Sequence, residues 1–205
     1  MSLTFDTRVA ATAAAHNPKQ MRQEFARVLH VPAQADGRKR HRLAFREVLY
    51  FKLKGSLEKG GMLLTPKDRR ALYQVLVSKN QQVGAWQRLG RTLVRTGDVT
   101  VTLDLTKIVR STQSTLRMIR RGETLIERRS DRCSGAPVFK GTRVPLMQIV
   151  EQFRSGVPLA QIAEDYPHID EKALHYAELY SRMSLAPGRP RQTLRVQRTT
   201  IEPAH

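Results

Sequence analysis

Residues 132–183 read RCSGAPVFKGTRVPLMQIVEQFRSGVPLAQIAEDYPHIDEKALHYAELYSRM. Small residues and prolines crowd the first half: Gly135, Pro137, Gly141, Thr142, Arg143 and Pro145. Gly141 suits a turn with positive φ after a short strand, Val138-Phe139-Lys140. Pro145 suits the first position of a helix. Leu146, Ile149, Val150 and Phe153 then recur at i, i+3, i+4 and i+7, which makes one apolar face. Gly156 stops that helix and Pro158 starts the next, with Leu159, Ile162 and Ala163 on its buried side. Pro167 ends it, and Asp170 can cap a third helix. The stretch predicts a small trihelical, helix-turn-helix-like domain.

Two blocks carry a resemblance. The first is Gly135-Ala-Pro137-Val-Phe-Lys-Gly141-Thr142-Arg143-Val144; the second runs from Gly156 through Ile162-Ala163-Glu164-Asp165-Tyr166-Pro167-His168-Ile169. Together they resemble the domain of unknown function 433, a small domain found in many VapB-type antitoxins. The match covers about a quarter of the chain. One departure is Cys133-Ser134-Gly135, where the family usually has two glycines after its cysteine. The resemblance implies an antitoxin that neutralises a PIN-like (VapC-type) ribonuclease toxin and acts on its own promoter.

Charge does not make this domain the DNA reader. Residues 135–183 hold five Lys/Arg against six Asp/Glu, whereas residues 1–80 hold 16 against 6. Duplex binding needs cations that displace phosphate counterions. The nucleic-acid footprint of a chain with net charge +18 therefore belongs to the N-terminal half. The neutral domain reads better as a dimerisation or partner-binding module.

The first 80 residues supply a pattern for such a footprint. Asp6 can cap a short helix through Val9, Ala10 and Ala13. Asn17-Pro18 then opens a second helix to about Leu29, burying Met21, Phe25, Val28 and Leu29. Its other face begins with Lys19, Gln20, Arg22 and Gln23, side chains that hydrogen-bond base edges and phosphates. Asp36-Gly37 signals a hairpin followed by Arg38, Lys39, Arg40 and Arg42, a basic wing or else a solvated basic loop. Two helices follow, the first using Phe45, Val48, Leu49 and Leu53. The second starts with the capping box Thr65-x-x-Asp68. This order of elements, with Arg42-Leu43-x-Phe45-x-x-Val48, resembles a MerR-type winged helix domain over roughly residues 5–80.

Thr92–Arg95 and Val99–Leu103 flank a Gly-Asp turn and predict a hairpin. A helix from Leu105 follows, closed by Gly122. Residues 123–129 predict a strand pairing with Val138–Lys140. The tail from Ala186 has three prolines and four arginines and no core pattern. Arg189, Arg191, Arg195 and Arg198 are candidate toxin-binding residues, because an arginine among the toxin's metal-holding carboxylates would pair with them and displace Mg²⁺.

The expected fold is mainly α with short β-hairpins: a winged helix-turn-helix (1–80), a hairpin and linker helix (81–124), the antitoxin-family domain (125–183) and an extended basic tail (184–205). The linker region is expected to build part of a homodimer interface. One cysteine, no signal-like start and no apolar run of 18 point to a cytoplasmic protein. Scattered histidines and the lack of a phosphate-cradling glycine loop predict no catalytic site, metal or cofactor. The expected partners are double-stranded operator DNA and the ribonuclease. The rival expectation is a stand-alone MerR-like regulator whose C-terminal module binds a ligand or protein; charge alone also suggests a ribonucleoprotein component.

Overall fold

Local chemistry at the chain breaks decides where the helices begin. The structure is a computed structural model that describes residues 4–31, 42–78, 80–97, 100–128 and 136–183. Strand β1 (Thr4–Asp6) ends at Asp6, whose carboxylate accepts the N–H groups of Arg8 and Val9 at 2.7 and 3.0 Å and opens α1 (Thr7–Ala14). Ala10, Ala11, Ala13 and Ala14 are buried, and their small side chains let α3 (Phe45–Lys59) lie close. Ala15 turns the chain in the left-handed region (φ 52°), and Asn17 caps α2 (Pro18–Glu24). The apolar periodicity to Leu29 is real, but the last turn widens into a π-turn, Phe25–Leu29, ended by His30 at φ 51°.

Strand β2 (Arg42–Ala44) pairs antiparallel with β1, Asp6 opposite Arg42. The strand after the basic run is therefore tied to the start of the chain. The hairpin expected at Asp36-Gly37 lies outside the described residues. Helix α4 (Pro66–Val77) begins with the expected box: Thr65 Oγ1 accepts from Asp68 N at 3.1 Å, and Asp68 accepts from Thr65 N at 3.3 Å.

A four-stranded antiparallel meander follows: β3 (Gln82–Val83), β4 (Trp86–Leu89), β5 (Thr92–Arg95) and β6 (Val101–Asp104). The expected hairpin is its second half, β5 with β6. Helix α5 (Leu105–Glu123) packs on α1, α3 and α8. It gives Leu105 and Leu116 to a first hydrophobic cluster and Ile119 to a second. The segment expected as a linker helix thus lies between two cores and contributes to both.

The C-terminal module matches its sequence pattern closely. Strands β7 (Ile126–Arg128) and β8 (Pro137–Phe139) pair antiparallel. Helices α6 (Leu146–Arg154), α7 (Leu159–Asp165) and α8 (Glu171–Met183) follow. Gly141 and Gly156 take the positive φ that their turns require (79° and 85°). Pro145 and Pro158 stand one residue earlier than expected, as N-caps in extended conformation. Asp170 accepts from Lys172 N at 2.7 Å at the start of α8. Leu146, Ile149, Val150, Ile162, Leu174 and Ala177 fill the core. Helix α8 also packs on α1 and α5, so the module is docked on the N-terminal half.

One expectation holds for a different reason. Helix α5 does end beside Gly122, at Glu123, but Gly122 is not a positive-φ stop; it is buried in the last turn, where α8 crosses it. A Cβ there would sit 2.2 Å from Tyr176 Cγ. The glycine is a close-approach position, not punctuation.

Candidate nucleic-acid interface

The short helix α2 is held by one face and presents the other. Met21 and Phe25 enter the first core, 0% and 4% exposed. Phe25 meets Phe51 edge-on at 5.2 Å between ring centroids. Between these residues stands Glu24, a carboxylate buried almost completely. Its Oε1 accepts from the Tyr50 hydroxyl at 2.8 Å, and its Oε2 pairs with Arg69 Nη1 at 2.7 Å. Burial, with the Glu24 charge next to it, raises the Tyr50 pKa far above the usual phenol range, so Tyr50 stays a donor. Helices α2, α3 and α4 are thereby fastened at one point.

Lys19, Gln20, Arg22 and Gln23 are all exposed. None of them bonds through its side chain to another described residue. They stand at the start of a helix whose N-terminus is closed by Asn17 Oδ1, which accepts from Lys19 N at 2.8 Å. Sequence reasoning missed Arg27, which is exposed on the π-turn and extends the row Lys19, Gln23 by a further i+4 step. That spacing is readable from the sequence.

The wing residues are not gathered with this row. Arg38, Lys39 and Arg40 lie outside the described residues. Arg42 is exposed on β2, where its guanidinium donates to Thr4 Oγ1 at 3.1 Å. It stands beside the start of α1, while Lys19 follows the end of α1. An eight-residue helix, about 12 Å long, separates the two. The tail residues Arg189, Arg191, Arg195 and Arg198 also lie outside the described residues.

His16 stands in the turn between α1 and α2. Its ring packs on Phe51 at 5.5 Å, and Nε2 is buried with no partner among the described residues. Burial, reinforced by the Lys54 charge, lowers its pKa below 6.5. The unfolded chain thus takes up the proton more readily than the fold does. His16 contributes its full stability above pH 6.5 and loses it as pH falls from there through the lowered folded value. Thermal melts should show a lower Tm at pH 5.5 than at pH 7.5, with His16→Gln flattening the slope. An identical slope in the variant would assign the effect to other groups.

Among the described residues, no cluster of three or more His, Cys, Asp or Glu could hold a metal ion. Among them also, no helix is long and apolar enough to cross a membrane.

Comparison with known proteins covers part of the chain. Uncharacterized protein y4eO of Sinorhizobium fredii (strain NBRC 101917 / NGR234) is 25% identical over 91 residues, 44% of this chain and 41% of that protein. The chain therefore spans about two fifths of that curated relative's length. No solved structure gives a significant match. Residues 126–180, from β7 into α8, match the family model described as a protein of unknown function, DUF433.

Proposed function

We propose that the chain is an antitoxin-type autoregulator: α2 reads duplex DNA, and the DUF433 segment with the tail holds a PIN-like ribonuclease. The observation that carries the DNA part is the row Lys19, Gln20, Arg22 and Gln23. These four polar side chains make no side-chain bond among the described residues, at the start of a helix whose buried face is held by Glu24. Arg pairs with guanine and Gln with adenine through two hydrogen bonds each, so this composition suits base reading as well as phosphate contact. The net charge of +18 supplies the non-specific attraction. The ribonuclease part is supported by the resemblance of residues 135–169 and by the family match over residues 126–180. The near-neutral charge of that segment suits contact with protein better than with phosphate.

The test uses duplex DNA from immediately upstream of the chain's own reading frame. Arg22→Ala and Gln23→Ala should each reduce discrimination against scrambled duplex by about 1–3 kcal/mol. Arg40→Ala should weaken binding to both duplexes alike and lower the salt slope by about one. If none of the three alters binding, α2 is not the reader. Co-expression with the adjacent reading frame tests the second half: a PIN-like ribonuclease should co-purify, and a 1–185 chain should inhibit it less. DNA binding without such a partner would favour the stand-alone regulator.

A further inference from the structure

Four arginines from three separate stretches of the sequence line one cavity. Arg46 comes from α3, Arg88 from β4, Arg91 from the β4–β5 turn and Arg110 from α5. The cavity has a volume of about 410 Å³. Its floor is apolar: Phe45, Leu49, Leu76, Leu105 and Val109. No Asp or Glu is among its described lining residues.

The nearby carboxylates are committed elsewhere. Asp104 caps α5, accepting from Thr106 N at 2.8 Å, and that hydrogen bond holds it below the usual carboxylate range. Glu47 accepts from Ala44 N at 2.7 Å and from the Tyr73 hydroxyl at 2.9 Å. Two of the arginines are steadied by backbone: Arg46 Nη1 donates to Val77 O at 3.3 Å, and Arg88 Nε to Gly90 O at 3.2 Å. Each guanidinium has five N–H donors, so most of theirs stay available. Arg91 and Arg110 are exposed and form no ion pair among the described residues.

Gathering four cations against the single Asp104 carboxylate, which attracts Arg110, leaves an excess of positive charge that costs electrostatic free energy and that an anion in the cavity would offset. Charge alone would suit any phosphate. The floor narrows the choice, because a bare phosphate or a nucleic-acid backbone brings nothing apolar to cover it. A neutral apolar molecule, conversely, leaves the guanidiniums unanswered. The volume lies in the range typical of small-molecule sites, roughly 300–1,000 Å³.

We propose that this cavity binds a small organic acid, a carboxylate carried on an aryl or alkyl body. The body covers Phe45, Leu49 and Val109, and the carboxylate takes paired hydrogen bonds from Arg91 and Arg110. The site is separate from the α2 row, and its occupancy does not depend on the DNA reading.

Calorimetric titration of the full chain with 4-phenylbutyrate, 4-phenylbutanol and inorganic phosphate tests both halves of this recognition. The carboxylate should bind at least about tenfold tighter than the alcohol or phosphate, since charge-assisted hydrogen bonds contribute about 1.5–3 kcal/mol. Arg91→Gln/Arg110→Gln should weaken 4-phenylbutyrate by about tenfold or more with an unchanged Tm, both side chains being exposed. Equal affinity for the alcohol would mean an apolar site only; equal affinity for phosphate would mean a charged surface only. Either result overturns the proposal, as does failure of 4-phenylbutyrate to saturate at low millimolar concentration. It is overturned too if the double variant loses DNA affinity while keeping that of 4-phenylbutyrate.

Discussion

Replacing Arg69 with alanine should cost about 3–5 kcal/mol of unfolding free energy, because it strands a buried carboxylate. The side chain of Glu24 is 7% exposed and that of Arg69 is 20% exposed, so little solvent can take over from the lost guanidinium. Only the Tyr50 hydroxyl would remain, and a neutral donor does not offset the desolvation of a charge. The pair itself contributes much less than this loss. Glu24→Met/Arg69→Met, which removes both charges and fills the space, should return to within about 1–2 kcal/mol of the parent. Urea titrations followed by Trp86, fully buried in the first core, measure all three proteins. A loss below about 1 kcal/mol for Arg69→Ala, the value of an exposed pair, would show that the carboxylate is not held as described. The consequence reaches function through α2. At seven residues it is too short to be stable alone, and Glu24, Met21 and Phe25 are what hold it. Arg69→Ala should therefore also loosen the Lys19–Gln23 row.

The caps were legible because capping is local chemistry. Asp6, Asn17-Pro18, Thr65-x-x-Asp68 and Asp170 each act within three residues, and each opens the helix expected of it. The helices α6 and α7 of the C-terminal module were legible for a second reason: glycine and proline mark their boundaries, at Pro145, Gly156, Pro158 and Pro167. Pairings over long separations were not. β1 finds β2 across 38 residues, and neither strand has more than three residues to show a period. β3 is two residues long. Glu24 was missed because a charged residue on an otherwise apolar face reads as an edge, and its partner Arg69 lies 45 residues on. Arg46, Arg88, Arg91 and Arg110 were missed similarly, since no periodicity links them. The row on α2 was readable, but its separation from Arg42 was not, because that depends on the pairing of β2 with β1.

Gly122→Ala should destabilise the protein by about 3 kcal/mol, against the direction that helix propensity predicts. Inside an exposed helix the substitution would gain about 1 kcal/mol. Here a Cβ would stand 2.2–2.3 Å from Cβ, Cγ and Cδ2 of Tyr176. These atoms are the root and near edge of the side chain, and Tyr176 is 5% exposed, so no rotamer change clears the space. Helix α8 must move away from α5, and overpacking of this kind costs about 1–3 kcal/mol or more. The strain would fall where the two hydrophobic clusters meet, since α5 serves both. A double-mutant cycle isolates the cause. Tyr176→Gly, which unlike alanine also removes the Cβ that stands 2.3 Å away, should alone cost about 3–5 kcal/mol through the cavity that it leaves and about 1 kcal/mol more through helix propensity. In that background the clash is gone, and Gly122→Ala should become neutral or stabilising by up to about 1 kcal/mol. The change of sign is the diagnostic, because a glycine needed only for flexibility would be harmed equally in both backgrounds. Full tolerance of Gly122→Ala in the parent chain would instead mean that α5 and α8 do not approach closely there, and with it would go the docking of the C-terminal module on the N-terminal half.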